Sequence, residues 1–358
     1  MVGLPNYTVP TGDYVQEWMD NNGVNAADMA RRLGVSPKHV SELLKAKVAL
    51  TPEMADLLER VTGVPSAYWN RMEAGYRKDL IRLAAEAELT RQYPAIIAYP
   101  ILYLRQLGFV TAETYDKPGI VEEVFRFFRV VDADALEATW CQGVAFRKTA
   151  AANPKKEALL TWLTVAERGV DFASLAPFDK SALRELLPEL RTMSRDEPKI
   201  YIQAMIARLA GVGVALCLVP EVPGLGIHGA TRWIDGHPVI QLSLRGKTDD
   251  QLWFTLFHEL GHVLMHDTRS LYLAGSDDER EAEADQFASD TLIPPEVITQ
   301  LPRGRNLEAV RQLAAEIGVS PGVVLGRVQR ETGDYGWGHQ LKKHFQFSYP
   351  MAAKGKAA

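Results

Sequence analysis

Hydrophobic positions late in the chain fall at helical spacing: Leu252, Trp253, Leu256, Phe257, Leu260, Val263 and Leu264 share one broad face. Thr248-Asp249-Asp250-Gln251 precedes them with the Ser/Thr-x-x-Glu/Gln form of a capping box, Thr248 being the N-cap. A second helix is marked by Ala284, Phe287, Ala288, Thr291 and Leu292 and stopped by Pro294-Pro295. Upstream, residues 212–219 form an apolar β-run. Residues 227–234 and 238–244 then flank Asp235-Gly236, a favoured two-residue hairpin turn. In the last strand Ile240, Leu242 and Leu244 alternate with Val239, Gln241 and Ser243, which predicts one buried and one outward face.

The start of the chain has a different texture. Asn25 caps residues 26–33, Ser36 caps a helix with Pro37 in its first position, and Thr51-Pro52 and Pro65-Ser66 open two more. Residues 76–88 read as a charged connecting helix, and 101–107, 155–167 and 181–193 as further helices. Phe125, Phe127 and Phe128 are taken as core. The expected class is α+β, with residues 1–73 all-α, a helical connecting region over 74–206, a mixed domain with a small antiparallel sheet over 207–350, and a disordered tail over 351–358.

Composition narrows the class without deciding it. The 358 residues carry a net charge of -5, which favours solubility and gives no global pull toward nucleic acid. Cys141 and Cys217 have no CxxC spacing, so neither a disulfide framework nor a thiolate zinc site is expected. Neither a signal peptide nor a membrane span is expected, and the reading is of a cytoplasmic protein with no membrane partner.

The candidate chemistry lies in His258-Glu259-Leu260-Gly261-His262. Two histidines four apart on a helix can share one metal ion, and the glutamate beside the first can serve as a base, which is the HExxH pattern of zinc peptidases. Both histidines fall opposite the apolar face. Gly261 inside the helix suggests a close neighbour rather than a helix former. A zinc site needs a third protein ligand, and of Glu279, Glu281 and Glu283 on the second helix, Glu281 lies nearest the buried face. Asp285, one turn on, can accept a hydrogen bond from a ligating histidine. His266 is a rival ligand, disfavoured because three histidines in a row reach too far along the axis. A buried helix with hydrogen-bonded histidines, beside a solvated acidic helix, is the plainer alternative.

At the other end, Ala30, Leu33-Gly34-Val35-Ser36 and Val40-Ser41 fit a helix, a tight turn and a second helix at an angle. In that arrangement Lys38, His39, Ser41, Glu42 and Lys45 face the major groove of double-stranded DNA, while Arg31, Arg32 and Lys47 can meet phosphates. Residues 1–85 hold ten Lys/Arg and ten Asp/Glu, so non-specific affinity should be weak and salt-limited. Residues 313–324 repeat this text with Gly322 and Val323 in place of Lys38 and His39, which points to packing in that copy. His228 and His237 stay unassigned.

Residues 11–60 resemble the XRE-type helix-turn-helix domains of phage repressors and HigA-like antitoxins. Residues 211–330, with the HExxH helix, Glu281-Ala282-Glu283-Ala284-Asp285 and Leu292-Ile293-Pro294, resemble the ImmA/IrrE family of zincin-like metallopeptidases. The resemblance implies Zn2+ on His258, His262 and Glu281, Glu259 as general base, and a protein substrate such as a DNA-binding repressor. The family often has Asn where Asp285 stands. Tyr272 and His228 are candidates for a second oxyanion donor, and a homodimer is left open. The competing expectation is a HigA-like transcriptional regulator or antitoxin whose zincin domain is structural or sensory.

Overall fold

The computed structural model describes residues 5–143, 155–266, 272–273 and 279–345. The tail expected over 351–358 and the side chain of Tyr272 lie outside the described residues. The chain divides into two compact units. One comprises the residues up to Tyr93 with Glu113–Glu122; the other comprises Pro94–Ala112 and everything from Glu123 onward.

The first unit opens with α1 (Thr11–Asn21), α2 (Ala26–Leu33), α3 (Pro37–Leu44), α4 (Pro52–Thr62) and the long α5 (Ser66–Ile96). Three side-chain caps read from the sequence are made here. Asn25, Ser36 and Thr51 side chains accept from the backbone N–H groups of Asp28, His39 and Met54, and Gly34 ends α2 in the left-handed region at φ 71°. Val15, Met19, Met29, Leu33, Val40, Leu43, Leu58 and Trp69 close the core. The domain boundary expected after residue 73 falls inside α5. Glu73 is 9% exposed, accepts from Thr11 Oγ1 at 2.6 Å and pairs with Arg77, so it belongs to this helical unit and not to a linker.

In chain order α6 (Ile101–Gln106), α7 (Lys117–Phe128), α8 (Ala133–Gly143), α9 (Lys156–Gly169), α10 (Lys180–Met193) and α11 (Pro198–Ala210) precede the sheet. The strands are β1 (Ala215–Leu218), β2 (Gly229–Ile234), β3 (His237–Leu242) and β4 (Tyr272–Leu273), in the order β1-β3-β2-β4. Asp235 and Gly236, both at positive φ, make the expected hairpin between β2 and β3. The sheet is not wholly antiparallel: β1 runs parallel to β3, Ala215 opposite Val239, because the chain crosses to β2 before returning along β3. Nor does β3 keep an outward face. Val239 through Ser243 are all buried, since α9 covers the far side and Gln241 Nε2 donates to the Trp162 carbonyl at 2.6 Å. The edge of β2 away from β3 is paired with β4, Ala230 opposite Leu273 and Thr231 opposite Tyr272.

The centre of the unit is α12 (Asp249–Met265), followed by α13 (Glu279–Leu292), α14 (Leu307–Ile317) and α15 (Pro321–Thr332). Trp253, Leu256, Phe257 and Leu260 are completely buried among Tyr201, Leu216, Ile240 and Val324. The capping box at Thr248 does not form: Thr248 occupies the N-cap position without a side-chain bond. Its backbone instead bridges to His344, and buried Asp249 accepts from Ser320 Oγ at 2.8 Å and from the Lys343 N–H at 2.8 Å. The C-terminal segment thus does the capping. The α14–α15 pair repeats the caps of α2–α3, with Asn306, left-handed Gly318 and Ser320 in place of Asn25, Gly34 and Ser36. Its Gly322 and Val323 are buried, consistent with packing, and a Cβ on Gly322 would lie 2.8 Å from Asp249 Oδ2.

Candidate metal centre

The helix expected to bury one face and present the other is buried on nearly all sides, from Leu252 to Leu264 apart from the half-buried Phe254. Gly261 is the reason. A Cβ there would lie 3.1 Å from Phe287 Cδ1 and 3.3 Å from Ala284 Cα, so the glycine lets α13 lie directly across the histidine face of α12. That close crossing delivers Glu281, only 6% exposed, to the two histidines.

His258 Nε2 lies 3.1 Å from His262 Nε2 and 3.1 Å from Glu281 Oε2, while His262 Nε2 lies 3.0 Å from Glu281 Oε1. Three donor atoms around a tetrahedral zinc with bonds of about 2.0–2.1 Å would stand about 3.3 Å apart, so these edges fit such an ion. The donor chemistry fits as well: two imidazoles and one carboxylate converge on one point, and among the described residues they form the only such group whose atoms all lie within 4.8 Å of one another. His266 is not in this group. It lies one turn on, its Nδ1 2.8 Å from His262 Nδ1 and its Nε2 3.0 Å from Glu283 Oε2.

The electrostatics favour positive charge. Burial alone would depress His258, but hydrogen bonds to Asp285 and Glu281 outweigh it and hold its pKa up at about 10. Burial alone would raise Glu281; the two histidines hold it down at about 2. His262 is lowered, chiefly by burial. A cluster that holds an extra proton this tightly is one that a divalent cation can occupy in its place. Asp285 Oδ1 accepts from His258 Nδ1 at 2.9 Å, as its place in the sequence suggested, and its Oδ2 accepts from Arg330 at 3.1 Å.

Glu259 is completely buried, and burial raises its pKa to about 8 against the lowering effect of His258 and Thr231. Thr231 Oγ1 on β2 donates to Oε2 at 2.6 Å, whereas Oε1 has no hydrogen-bond partner among the described residues. Backbone also approaches: a Cβ on Gly229 would lie 3.1 Å from Glu259 Cδ and 2.8 Å from Thr255 Cγ2. Thr231, Gly229 and Arg330 were missed in the sequence. Only the glycine inside a strand carried a signal, that of a close backbone approach.

A cleft of about 360 Å3 opens beside His258, walled by Phe254, Leu292, Ile293 and Val323, with Arg330 and Tyr335 among the polar residues lining it. His228 lines the same cleft, its pKa lowered by burial and then by Arg245. His237 is elsewhere, its Nδ1 3.0 Å from the Gly213 carbonyl. In the first unit Lys38 and Lys45 are exposed at the two ends of α3, His39, Ser41 and Glu42 are partly exposed, and Lys38 pairs with Glu42 at 3.7 Å.

Together these features define a helix-turn-helix protein with a second, zincin-like unit. A family model described as the IrrE N-terminal-like domain matches residues 207–329, and one described as helix-turn-helix matches residues 15–69. The chain is also similar to a protein of Escherichia coli strain K12 described as the uncharacterized HTH-type transcriptional regulator YddM. The two are 37% identical over 87 residues, 24% of this chain and 85% of that protein. The chain belongs to the XRE-type helix-turn-helix regulators fused to an ImmA/IrrE-like domain. No described helix is long and apolar enough to cross a membrane.

Proposed function

We propose that this chain is a DNA-binding regulator with a zinc-dependent endopeptidase domain that cuts a partner protein. The observation that carries this reading is the convergence of His258, His262 and Glu281 with edges of 3.0–3.1 Å. These three residues would hold the ion. Zn2+ there would supply a Lewis acid able to polarise a scissile carbonyl and to lower the pKa of water towards about 7.

Glu259 is the general base. Thr231 anchors one oxygen and leaves the other to take a proton, and a pKa near 8 suits a group that accepts a proton and passes it to the leaving amine. Asp285 fixes the ring of His258, and Arg330 holds Asp285. The apolar cleft beside His258 receives a side chain of the polypeptide. Lys38, His39, Ser41, Glu42 and Lys45 read the major groove. The resemblance suggests cleavage of a DNA-binding repressor, or regulation of a stress or toxin-antitoxin operon. Glu259→Gln should retain zinc and lose all cleavage of that repressor; a variant that still cuts it would refute the role given to Glu259.

One observation favours a second reading. Glu259 is fully sealed from solvent, as a residue in a structural or sensory centre would be. In that case the chain is a HigA-like regulator or antitoxin without turnover, and full-length protein would bind its operator specifically while cutting no partner.

A further inference from the structure

His262 and His266 stand one turn apart on α12, with their Nδ1 atoms facing each other at 2.8 Å. The other nitrogen of His266, Nε2, lies 3.0 Å from Glu283 Oε2 on α13. An ionised carboxylate can only accept, so His266 Nε2 carries the proton of that bond. In a neutral imidazole the opposite nitrogen then has the lone pair, so His266 Nδ1 accepts and His262 Nδ1 donates. Applied once more, the rule leaves the lone pair of His262 on Nε2, the atom beside His258 and Glu281. His258 has the corresponding bond without an intermediary, its Nδ1 donating directly to Asp285 Oδ1 at 2.9 Å.

We infer that Glu283 and His266 are positioning residues for the metal centre: Glu283, acting through His266, sets His262 in the tautomer that ligates a divalent cation through Nε2. This rests on reading the centre as a metal site and gives a role to a histidine that is not a ligand. His262 is 1% exposed, so its ring is held away from bulk water. The side chain of His266 is 5% exposed and that of Glu283 56%, so the pair links a buried ring to a carboxylate at the surface. Without the pair, the His262 proton can settle on Nε2, and must leave before a cation can bind.

The test is zinc affinity of the full-length chain, by competition with a chromophoric chelator, together with nitrogen-15 NMR of the His262 ring in metal-free protein. His266→Phe keeps the ring shape and removes the acceptor. It should weaken zinc binding roughly 10–100-fold, the usual cost of losing a partner of a metal ligand. Glu283→Leu should cost about tenfold, while Glu283→Gln, whose amide oxygen still accepts from His266, should stay within about threefold of wild type. A purely structural role would not separate Gln from Leu. In the NMR spectra His262 should be protonated on Nδ1 in wild type and Glu283→Gln, and a tautomer mixture in His266→Phe.

Equal zinc affinity for Glu283→Leu and Glu283→Gln, or a wild-type His262 protonated on Nε2, would overturn the inference. If His266→Phe does not fold, the two variants at the exposed Glu283 decide. If wild type binds no zinc, the reading of the centre fails, and the tautomer measurement alone decides whether the pair sets His262.

Discussion

Gly229→Ala probes whether Glu259 is held where the centre requires it. The glycine has no positive φ, so alanine is allowed by the backbone and the effect is steric. The new methyl would lie 2.8 Å from Thr255 Cγ2 and 3.1 Å from Glu259 Cδ, against the roughly 3.5–4.0 Å at which carbon atoms normally pack. The carboxylate must retreat by about 0.5–1 Å, which stretches or breaks its buried bond from Thr231 at a cost of about 1–3 kcal/mol. Overpacking against Thr255 adds about 1 kcal/mol, giving about 2–4 kcal/mol in all. The attribution is checked by a double-mutant cycle with Glu259→Ala, measured by urea unfolding of all four proteins. Removing the carboxylate removes most of the clash, so Gly229→Ala should cost about 1–3 kcal/mol less in that background. Additivity within about 0.5 kcal/mol would refute contact between the strand and Glu259. If the centre is the proposed peptidase site, a displacement of this size should also lower its cleavage activity by about 100-fold while zinc is retained.

Asp249 offers a pH-dependent prediction. Burial holds its pKa above the ordinary carboxylate range despite bonds from Ser320 and Lys343. A raised pKa makes its contribution to stability greatest below that range and smaller as pH rises through the folded value. Asp249→Asn, which keeps the acceptor for Lys343 and loses the charge, should therefore gain on wild type between pH 4 and pH 7, as read by melting temperature. Asp249→Ala should cost about 1–3 kcal/mol through the unpaired Ser320 and Lys343 groups; equal melting of Ala and Asn variants would contradict this. At the other end of the chain, Lys45→Ala should weaken DNA binding and lower the salt slope by about 1 if Lys45 meets a phosphate, or relax the preference for one base pair if it reads an edge. Unchanged binding by fluorescence anisotropy at several salt concentrations would remove Lys45 from the interface.

Much of the fold was legible because it rests on local rules. The caps at Asn25, Ser36 and Thr51, the left-handed turn at Gly34 and the hairpin at Asp235-Gly236 are chemistry of neighbouring residues. So is the pairing of His258 with His262, fixed by the helical period. Gly261 was read correctly as room for a neighbour, though nothing local identified that neighbour as Ala284 and Phe287. What escaped depends on contacts distant in sequence. Thr248 fails to cap because Ser320 and the 343–345 segment reach the start of α12 first. β3 has no wet face because α9 covers it, and β1 joins in parallel because of a crossover that no periodicity reveals. Thr231 and Arg330 reach the centre from a strand and a helix on either side of it in sequence, and neither residue type signals such a role. Glu283 lies on what the sequence also allows as a solvated acidic helix, and its bond to His266 depends on a residue 17 positions away.

The central claim is that His258, His262 and Glu281 form a metal centre. Elemental analysis of purified wild type, His262→Ala and Glu281→Ala tests it most directly. About one zinc per wild-type chain is expected, as one closed set of three protein ligands requires, with loss of that zinc in both variants. Metal-free wild type prepared without chelators, or zinc retained at wild-type level in either variant, would contradict it.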